Sequence, residues 1–480
     1  MQARRTRTRI DDGLPACGNK SIAGNRKLRE EIATVLVKTV PIILGVNKRN
    51  ELIRLLYELC QAHERSAQKV LEQVGIQEIV AEGAGGLFHR LKDRLLKLRY
   101  PSIGRDNKPR IVPVEIDSQG RECAPGDSAV APKRIFVEQS VRNLEWTRDF
   151  VRHFPDAEII PVVHLRDGMN CLRQHPPISS YAARRENIFV IRNKSSFIKA
   201  CPCSMGVRRC GYWILNVGFG CSMDCSYCYL QTYSNASGLI LPANLEEYLS
   251  HLENFDRRLS RRTRIGTGEF TDSLYLDQYT GYSSFLIPFF RKTKNLVLEL
   301  KTKADDIETL LQKRPHKNVV ISWSMNPPQI AERYEMGAVS VGDRIKSAVE
   351  VARKGYQVGF HFDPIVFYPS WKEDYRTLVE EIFSRDELRR MTVWVSLGTL
   401  RYTSGLQQIA EQRFADNRLF YWGEFYVGRD GKLRYPPELR IELYNAMIQW
   451  IRSFDISGWI YLCMEFPEVW SKTMLTRDTF

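Results

Sequence analysis

The chain has 480 residues, more than one hydrophobic core normally holds, so at least two folding units are expected. Its apolar fraction of 43% is that of a soluble protein; no run of about 18 uncharged apolar residues occurs and no apolar stretch follows the basic start MQARRTRTRI, so neither a membrane span nor a secretory leader is expected and the cytoplasm is the expected location. A formal charge of +14 suits a phosphate-bearing partner such as nucleic acid, where Lys and Arg gain by releasing counterions; solubility alone is the bland alternative.

Residues 1–26, rich in Arg, Gly and Asn, lack an apolar period and read as a disordered basic arm whose ARRTRTR suits non-specific phosphate contact. Over 27–99 the pattern turns helical, with Leu52, Leu55, Leu56 and Leu59 on one face, and predicts a small helical domain of unknown role. Residues 100–132, punctuated by Pro, Gly and Asp, read as a linker. The stretch 133–210 opens with strands at 134–137 and 158–163 around a helix near 143–153. From 211 onward, strands are expected at 213–217, 263–266, 296–300, 319–323, 357–362 and 393–397, with helical patterns such as 245–259 and 341–353 between them. Six strand-then-helix units predict an α/β fold with a parallel sheet closed partly into a barrel and an active site at the carboxyl ends of its strands. Farther on, 430–435 reads as a turn followed by a basic aromatic strand, and 459–463 as a closing strand.

Six of the eleven cysteines fall within the 28 residues 201–228, which points to a metal or cluster site in a reducing compartment rather than to disulfides. Cys221, Cys225 and Cys228 stand in GCSMDCSYCYLQTY, a C-x3-C-x2-C spacing just after the first expected barrel strand. Three thiolates leave one iron of a [4Fe–4S] cubane without a protein ligand, so that a small molecule can bind there. The spacing, with an aromatic residue before the last cysteine, resembles that of radical S-adenosylmethionine (SAM) enzymes. There the cluster reductively cleaves SAM to a 5′-deoxyadenosyl radical that abstracts hydrogen from the substrate. A structural zinc completed by Cys201, Cys203 or Cys210 is the alternative. Those three upstream thiols are themselves either free or a second metal site, and free thiols are expected.

Around the motif the likeness narrows. The segment C-x3-C-S-Y-C-Y-L-Q, then Leu300 to Lys303 (LKTK), Ser324 to Asn326 (SMN) and Gly359 to Ile365 (GFHFDPI) resemble the spore photoproduct lyase family of radical SAM proteins. The likeness runs from about Arg134 onward and leaves the first ~130 residues uncovered. It implies a partial (β/α)6 TIM-like radical SAM barrel, here with an N-terminal helical extension. It also implies repair of a thymine dimer in DNA by hydrogen abstraction and carbon–carbon fragmentation, with electrons from a flavodoxin- or ferredoxin-like donor. By position, Lys303, Ser324, Asn326 and Thr271 would hold SAM. Tyr227 and Tyr229 would stand near SAM and on the hydrogen-return path, and Lys432, Arg434 and Tyr435 would meet the lesion. The string Glu335 to Ala338 reads as a turn and cap, although the resemblance also sets it near SAM.

One departure stands out. The lyases carry a cysteine after the second barrel strand that returns a hydrogen atom to the product radical, and the matching segment here, Arg264 to Asp272, offers Glu269, or Phe270 after a one-residue shift. Neither donates hydrogen as a thiol does. Either Tyr227, Tyr229 or Cys463 finishes the reaction, or the substrate is different: RNA, a peptide or a small metabolite, to whose amine or hydroxyl Glu269 would bind. A non-catalytic cluster protein that senses redox state or binds DNA is the remaining class.

Overall fold

The leucine stripe at 52, 55, 56 and 59 is the buried face of a helix, Val46–His63. In the computed structural model, which describes residues 20–102, 130–173, 183–233, 238–414 and 417–475, five helices share one core. They are α1 (Lys20–Thr39), α2 (Val46–His63), α3 (Ala67–Gln73), α4 (Ile76–Ala81) and α5 (Leu87–Arg99), and Ile32, Leu36, Leu91 and Leu95 join the leucines of α2. The expected arm over 1–19 and the linker residues 103–129 lie outside the described residues. α1 starts at Lys20, inside the expected arm, because its buried stripe, Ile32 and Leu36, sits well along the helix and nothing apolar and periodic announces the first turns.

Beyond the bundle the chain forms β1 (Arg134–Glu138), β2 (Glu158–Val162), β3 (Asn187–Ile191), β4 (Ile198–Ala200), β5 (Trp213–Leu215), β6 (Leu239–Pro242), β7 (Thr263–Gly266), β8 (Leu296–Thr302), β9 (Val319–Ser324), β10 (Gln357–Ile365), β11 (Thr392–Thr399), β12 (Arg401–Tyr402), β13 (Tyr426–Val427), β14 (Leu433–Arg434) and β15 (Trp459–Leu462). A parallel sheet of order β2-β1-β3-β6 forms one layer, and β3 and β6, which the sequence reading missed, are short strands beside it. The larger sheet runs β15-β11-β10-β9-β8-β7-β5-β4, parallel throughout except for β4. Its β5 and β7 to β11 are the six expected strands in the expected order, so the architecture is the partial barrel with an N-terminal helical extension.

Among the described residues the edges β4 and β15 do not pair, and the loop after β4 spans the gap between them. Arg208 N–H donates to the Glu465 carbonyl at 2.9 Å, Ser204 N–H lies 3.4 Å from Met464 Sδ, and the Arg208 guanidinium covers the Trp470 ring. Among the described residues no helix is long and apolar enough to cross a membrane.

Polar side chains plug the barrel interior. The carboxylate of Glu299 on β8 accepts from Ser322 Oγ (2.7 Å), His361 Nε2 (2.8 Å) and Trp394 Nε1 (2.9 Å), and Arg264 Nε stands 3.7 Å away. The Arg264 guanidinium lies 4.8 Å from the ring centres of Tyr212, Trp394 and Tyr461. Gly359 on β10 makes this packing possible, since a Cβ there would sit 2.4 Å from Trp394 Nε1 and 2.5 Å from Ser322 Oγ. Gly359→Ala should therefore destabilise the protein by about 1–3 kcal/mol, read from the midpoint of denaturant unfolding.

Candidate active site

The cluster-type motif lies on the loop that leaves β5 at the carboxyl end of the barrel. Neighbouring backbone holds it on several sides. Phe219 and Ile240 exchange two backbone bonds of 2.9 Å, and Gly220 N–H (φ +100°) donates to the Phe270 carbonyl. Ser226 N–H donates to Tyr334 O at 2.8 Å, and Gly337 N–H to Met223 O at 2.7 Å. Gly337 is required for that approach: its Cβ would meet Met223 Cα and the Ser222 carbonyl at 2.9 Å.

Burial raises the Cys221, Cys225 and Cys228 thiols, Cys225 to about 12, and the charges of Cys225 and Cys228 add to the rise at Cys221. The three sulfurs thus lie within electrostatic reach of one another, while Lys303 opposes the rise at Cys225 and Cys228. Among the described residues, no three Cys, His, Asp or Glu side chains converge as ligands of a single ion. In a cubane each thiolate binds a different iron, so the sulfurs stand apart around the cluster rather than around one point. Three close thiols, Cys225 buried and Cys221 and Cys228 partly so, on a backbone-braced loop with Lys303 at hand to favour thiolates, fit such a cluster.

Beside the loop stands a polar hub that gathers Lys303, Asn326 and Tyr227 around Glu335, which the residues alone gave as a turn and cap and only the resemblance set near SAM. Glu335, fully buried and bridged to Cys225 through its backbone, accepts from Lys303 Nζ (2.7 Å), Asn326 Nδ2 (3.0 Å) and the Tyr227 hydroxyl, and forms an ion pair with Arg344 Nη2 at 2.6 Å. Burial alone would raise its carboxyl, but Arg344 and Lys303 hold it well below the usual carboxylate range. Lys303 Nζ also donates to Tyr227 Oη at 2.5 Å, and Tyr375 Oη donates to Asn326 Oδ1 at 2.9 Å. Ser324 ends β9, and its carbonyl accepts from Arg344 Nη1 at 3.1 Å. So the structure brings Lys303, Asn326 and Tyr227 together and sets Ser324 one residue before Met325 and two before Asn326.

The loop after β7 carries Glu269 and Thr271. Asp272 ties it to β8, accepting from Thr302 Oγ1 at 2.6 Å and from the Lys303 backbone N–H at 2.8 Å. Tyr229, 37% exposed, donates to the Glu269 carbonyl and lies 3.3 Å from its carboxylate. The Glu269 charge acts on Cys201, Cys203, Cys463 and Lys301, which places it amid the thiols that flank the barrel mouth. Cys463, just past β15, hydrogen-bonds Asp363 and receives Arg401 Nη2 at 3.8 Å; burial, then Asp363, keeps it a thiol. Arg401 and Asp363 pair through bonds of 2.9 and 3.1 Å.

The hairpin of β13 and β14 places its three singled-out residues differently. Lys432 is half-buried, and burial and then Arg401 lower its ammonium. Arg434 is buried, bonded to Asp430 (2.6 Å) and the Met464 carbonyl (3.1 Å), and buried Tyr435 accepts from Phe367 N–H at 3.1 Å. Those two side chains are committed to bonds within the fold.

In the loop across the barrel gap, the neighbouring Cys201 thiol lowers that of Cys203 to about 7 against the pull of burial. Cys203 should alkylate with a half-point near pH 7. Cys201→Ala should return that half-point toward the ordinary ~8.5, as peptide mass spectrometry of iodoacetamide labelling would report.

Residues 132–453 match the family model described as "Spore photoproduct lyase". Spore photoproduct lyase of Clostridium acetobutylicum is 23% identical over 307 residues, 62% of this chain and 89% of that protein. The Bacillus subtilis protein of the same name is 26% identical over 246 residues, 49% of this chain and 71% of the relative. A solved structure, spore photoproduct lyase complexed with dinucleoside spore photoproduct, superposes with a TM-score of 0.61 at 22% identity, covering 70% of this chain and 99% of that one.

Proposed function

The chain belongs to the spore photoproduct lyase family, and from that footing we propose that it is a radical SAM enzyme that repairs a pyrimidine photoproduct in DNA. The observation that carries the reading is the loop of Cys221, Cys225 and Cys228 at the carboxyl end of the first barrel strand, beside the Lys303–Glu335 hub. The three thiolates would hold a [4Fe–4S] cluster, which when bound supplies the electron that cleaves SAM and so a radical able to take hydrogen from carbon.

The residues around it have definable tasks. Two of the three Lys303 donors go to Tyr227 and Glu335, which aim the ammonium so that the remaining one meets the SAM carboxylate. Ser324 and Thr271 offer hydroxyls at the ends of their segments, and Asn326 locks the hub in place. Lys432 and Lys301 would supply the cations for phosphate, with Tyr229 as the exposed ring, while Arg434 and Tyr435 shape the hairpin that presents Lys432.

For the finishing step Cys463 is the thiol: its S–H hydrogen passes to the product carbon radical, leaving a sulfur radical that one electron and one proton restore. The electron comes from a flavodoxin- or ferredoxin-like donor. Tyr227, held as a phenol by burial, and the exposed Tyr229 stand as the alternative hydrogen donors.

Glu269 favours a second reading, in which the same machinery acts on a substrate bearing an amine or hydroxyl. Binding titrations decide between them. The DNA reading predicts tighter binding of an ultraviolet-irradiated duplex than of an undamaged one, a steep salt dependence, and a salt slope reduced by about 1 in Lys432→Ala. Equal, salt-insensitive and weak binding of both duplexes would contradict it.

A further inference from the structure

The helical bundle lies outside the matched family segment, yet a helix of that segment links it to the cluster loop. Two more helices matter here: α6 (Leu230–Tyr233), which follows the last cysteine of the loop, and α7 (Ser404–Arg413), which follows β12. On the bundle side, Arg54 of α2 grips Glu411 of α7 through paired bonds of 2.9 and 2.8 Å, both side chains being buried. Arg54 also pairs with Glu58 at 2.8 Å, and Glu58 with Arg99, whose Nη1 reaches the Gly423 carbonyl at 2.7 Å. Tyr421 seats its ring in the bundle core against Tyr57 and donates its hydroxyl to Glu411.

On the other side, Arg413 makes a two-pronged pair with Asp224, at 2.8 and 2.7 Å, and donates to Gln231 of α6. Gln231 in turn donates to Asp224 (2.8 Å) and to the carbonyl of Cys225 (3.1 Å). Asp224 lies immediately before Cys225 and has φ +51°, a left-handed conformation that an unrestrained Asp visits only as a minor state. Glu411 and Arg413 are two positions apart, about 200° around the helix axis, and so point to opposite sides of α7.

We infer that the N-terminal bundle is a positioning element for the cluster loop: through Arg54 and Glu411 it fixes α7, and through Arg413 α7 holds Asp224 and Gln231, and with them Cys225, in the shape that receives the cluster. The inference rests on the proposed cluster for its function, but not for its geometry. Arg413 is a positioning residue, supporting ligands from behind as outer-shell partners do.

The test uses the full-length chain. Two readouts are taken: hydrogen exchange of peptides covering 221–233 in cluster-free protein, and the anaerobic rate of iron loss to a chelator after reconstitution. Arg413→Ala and Asp224→Asn should each speed iron loss about tenfold, in line with the cost of losing an outer-shell partner. Both should also raise exchange across 221–233. Glu411→Gln, and the milder Tyr421→Phe, should shift both readouts in the same direction although neither residue touches the loop. Combining Glu411→Gln with Arg413→Ala should add nothing to Arg413→Ala alone, because one helix carries the coupling. Glu51→Gln, which breaks the surface pair with Lys92 in the same bundle, should behave as wild type.

Wild-type exchange over 221–233 in folded Glu411→Gln and Tyr421→Phe overturns the inference, and so does additivity in the double variant. If the wild-type chain takes up no iron, the cluster reading fails, and the exchange data on cluster-free protein still decide the positioning role.

Discussion

Alanine at any one of Cys221, Cys225 or Cys228 should leave a folded protein that cannot hold its iron, with SAM cleavage falling to background. The loop is braced by backbone bonds from Phe219, Gly220, Ser226 and Met223, none of which uses a cysteine side chain, so removing one sulfur leaves the fold's own restraints in place. A cubane bound by two thiolates, however, has two irons without protein ligands. The loss of affinity should exceed the ~10–100-fold that removing an outer-shell partner costs, because the bond to iron itself is gone. Iron and sulfide analysis after anaerobic reconstitution, together with a melting curve, separates loss of the site from loss of the fold. Cys203→Ala is the internal comparison and should retain wild-type iron.

Glu335→Ala should be the most destabilising single change at the site. The residue is buried with Arg344 at 2.6 Å and Lys303 at 2.7 Å, and Arg344 is fully buried too. Deleting the carboxylate leaves a desolvated guanidinium without its counter-ion, and breaking a buried pair in this way costs about 3–5 kcal/mol. It also frees Lys303, Tyr227 and Asn326 from a common acceptor, so the residues proposed to receive SAM lose their alignment. Glu335→Gln keeps the shape and one acceptor and should fall between the two. Urea unfolding reads the first effect and SAM affinity the second; a Glu335→Ala variant as stable as wild type would mean the hub is not the structural centre that its bonds suggest.

The barrel was legible because its strands are short, nearly continuous apolar runs separated by amphipathic helices, and a strand buried on both faces has that texture. The cysteine motif was legible because its ligands are close in sequence. The hub was not: Glu335 meets Cys225 across a backbone bridge 110 residues apart, and a single Glu in a turn carries no period that foretells it. The same holds for Arg413 and Asp224, whose pairing exists only once the bundle, α7 and the loop are assembled. At the hairpin, residue type misled. Arg434 and Tyr435 have the chemistry of a DNA contact, but Asp430 takes the Arg434 guanidinium and the Phe367 N–H takes the Tyr435 hydroxyl, so both are buried while Lys432 is only half-buried. The bundle's leucine period was clear in α2, whereas the start of α1 was not.

The measurement that bears most directly on the central claim is anaerobic formation of 5′-deoxyadenosine from SAM by the reconstituted, dithionite-reduced protein, with irradiated oligonucleotide, with the same oligonucleotide unirradiated, and with Cys225→Ala as control. Product is expected only where Cys225 is intact, and more of it with the irradiated DNA. Absence of 5′-deoxyadenosine from wild-type protein that holds its iron would contradict that claim.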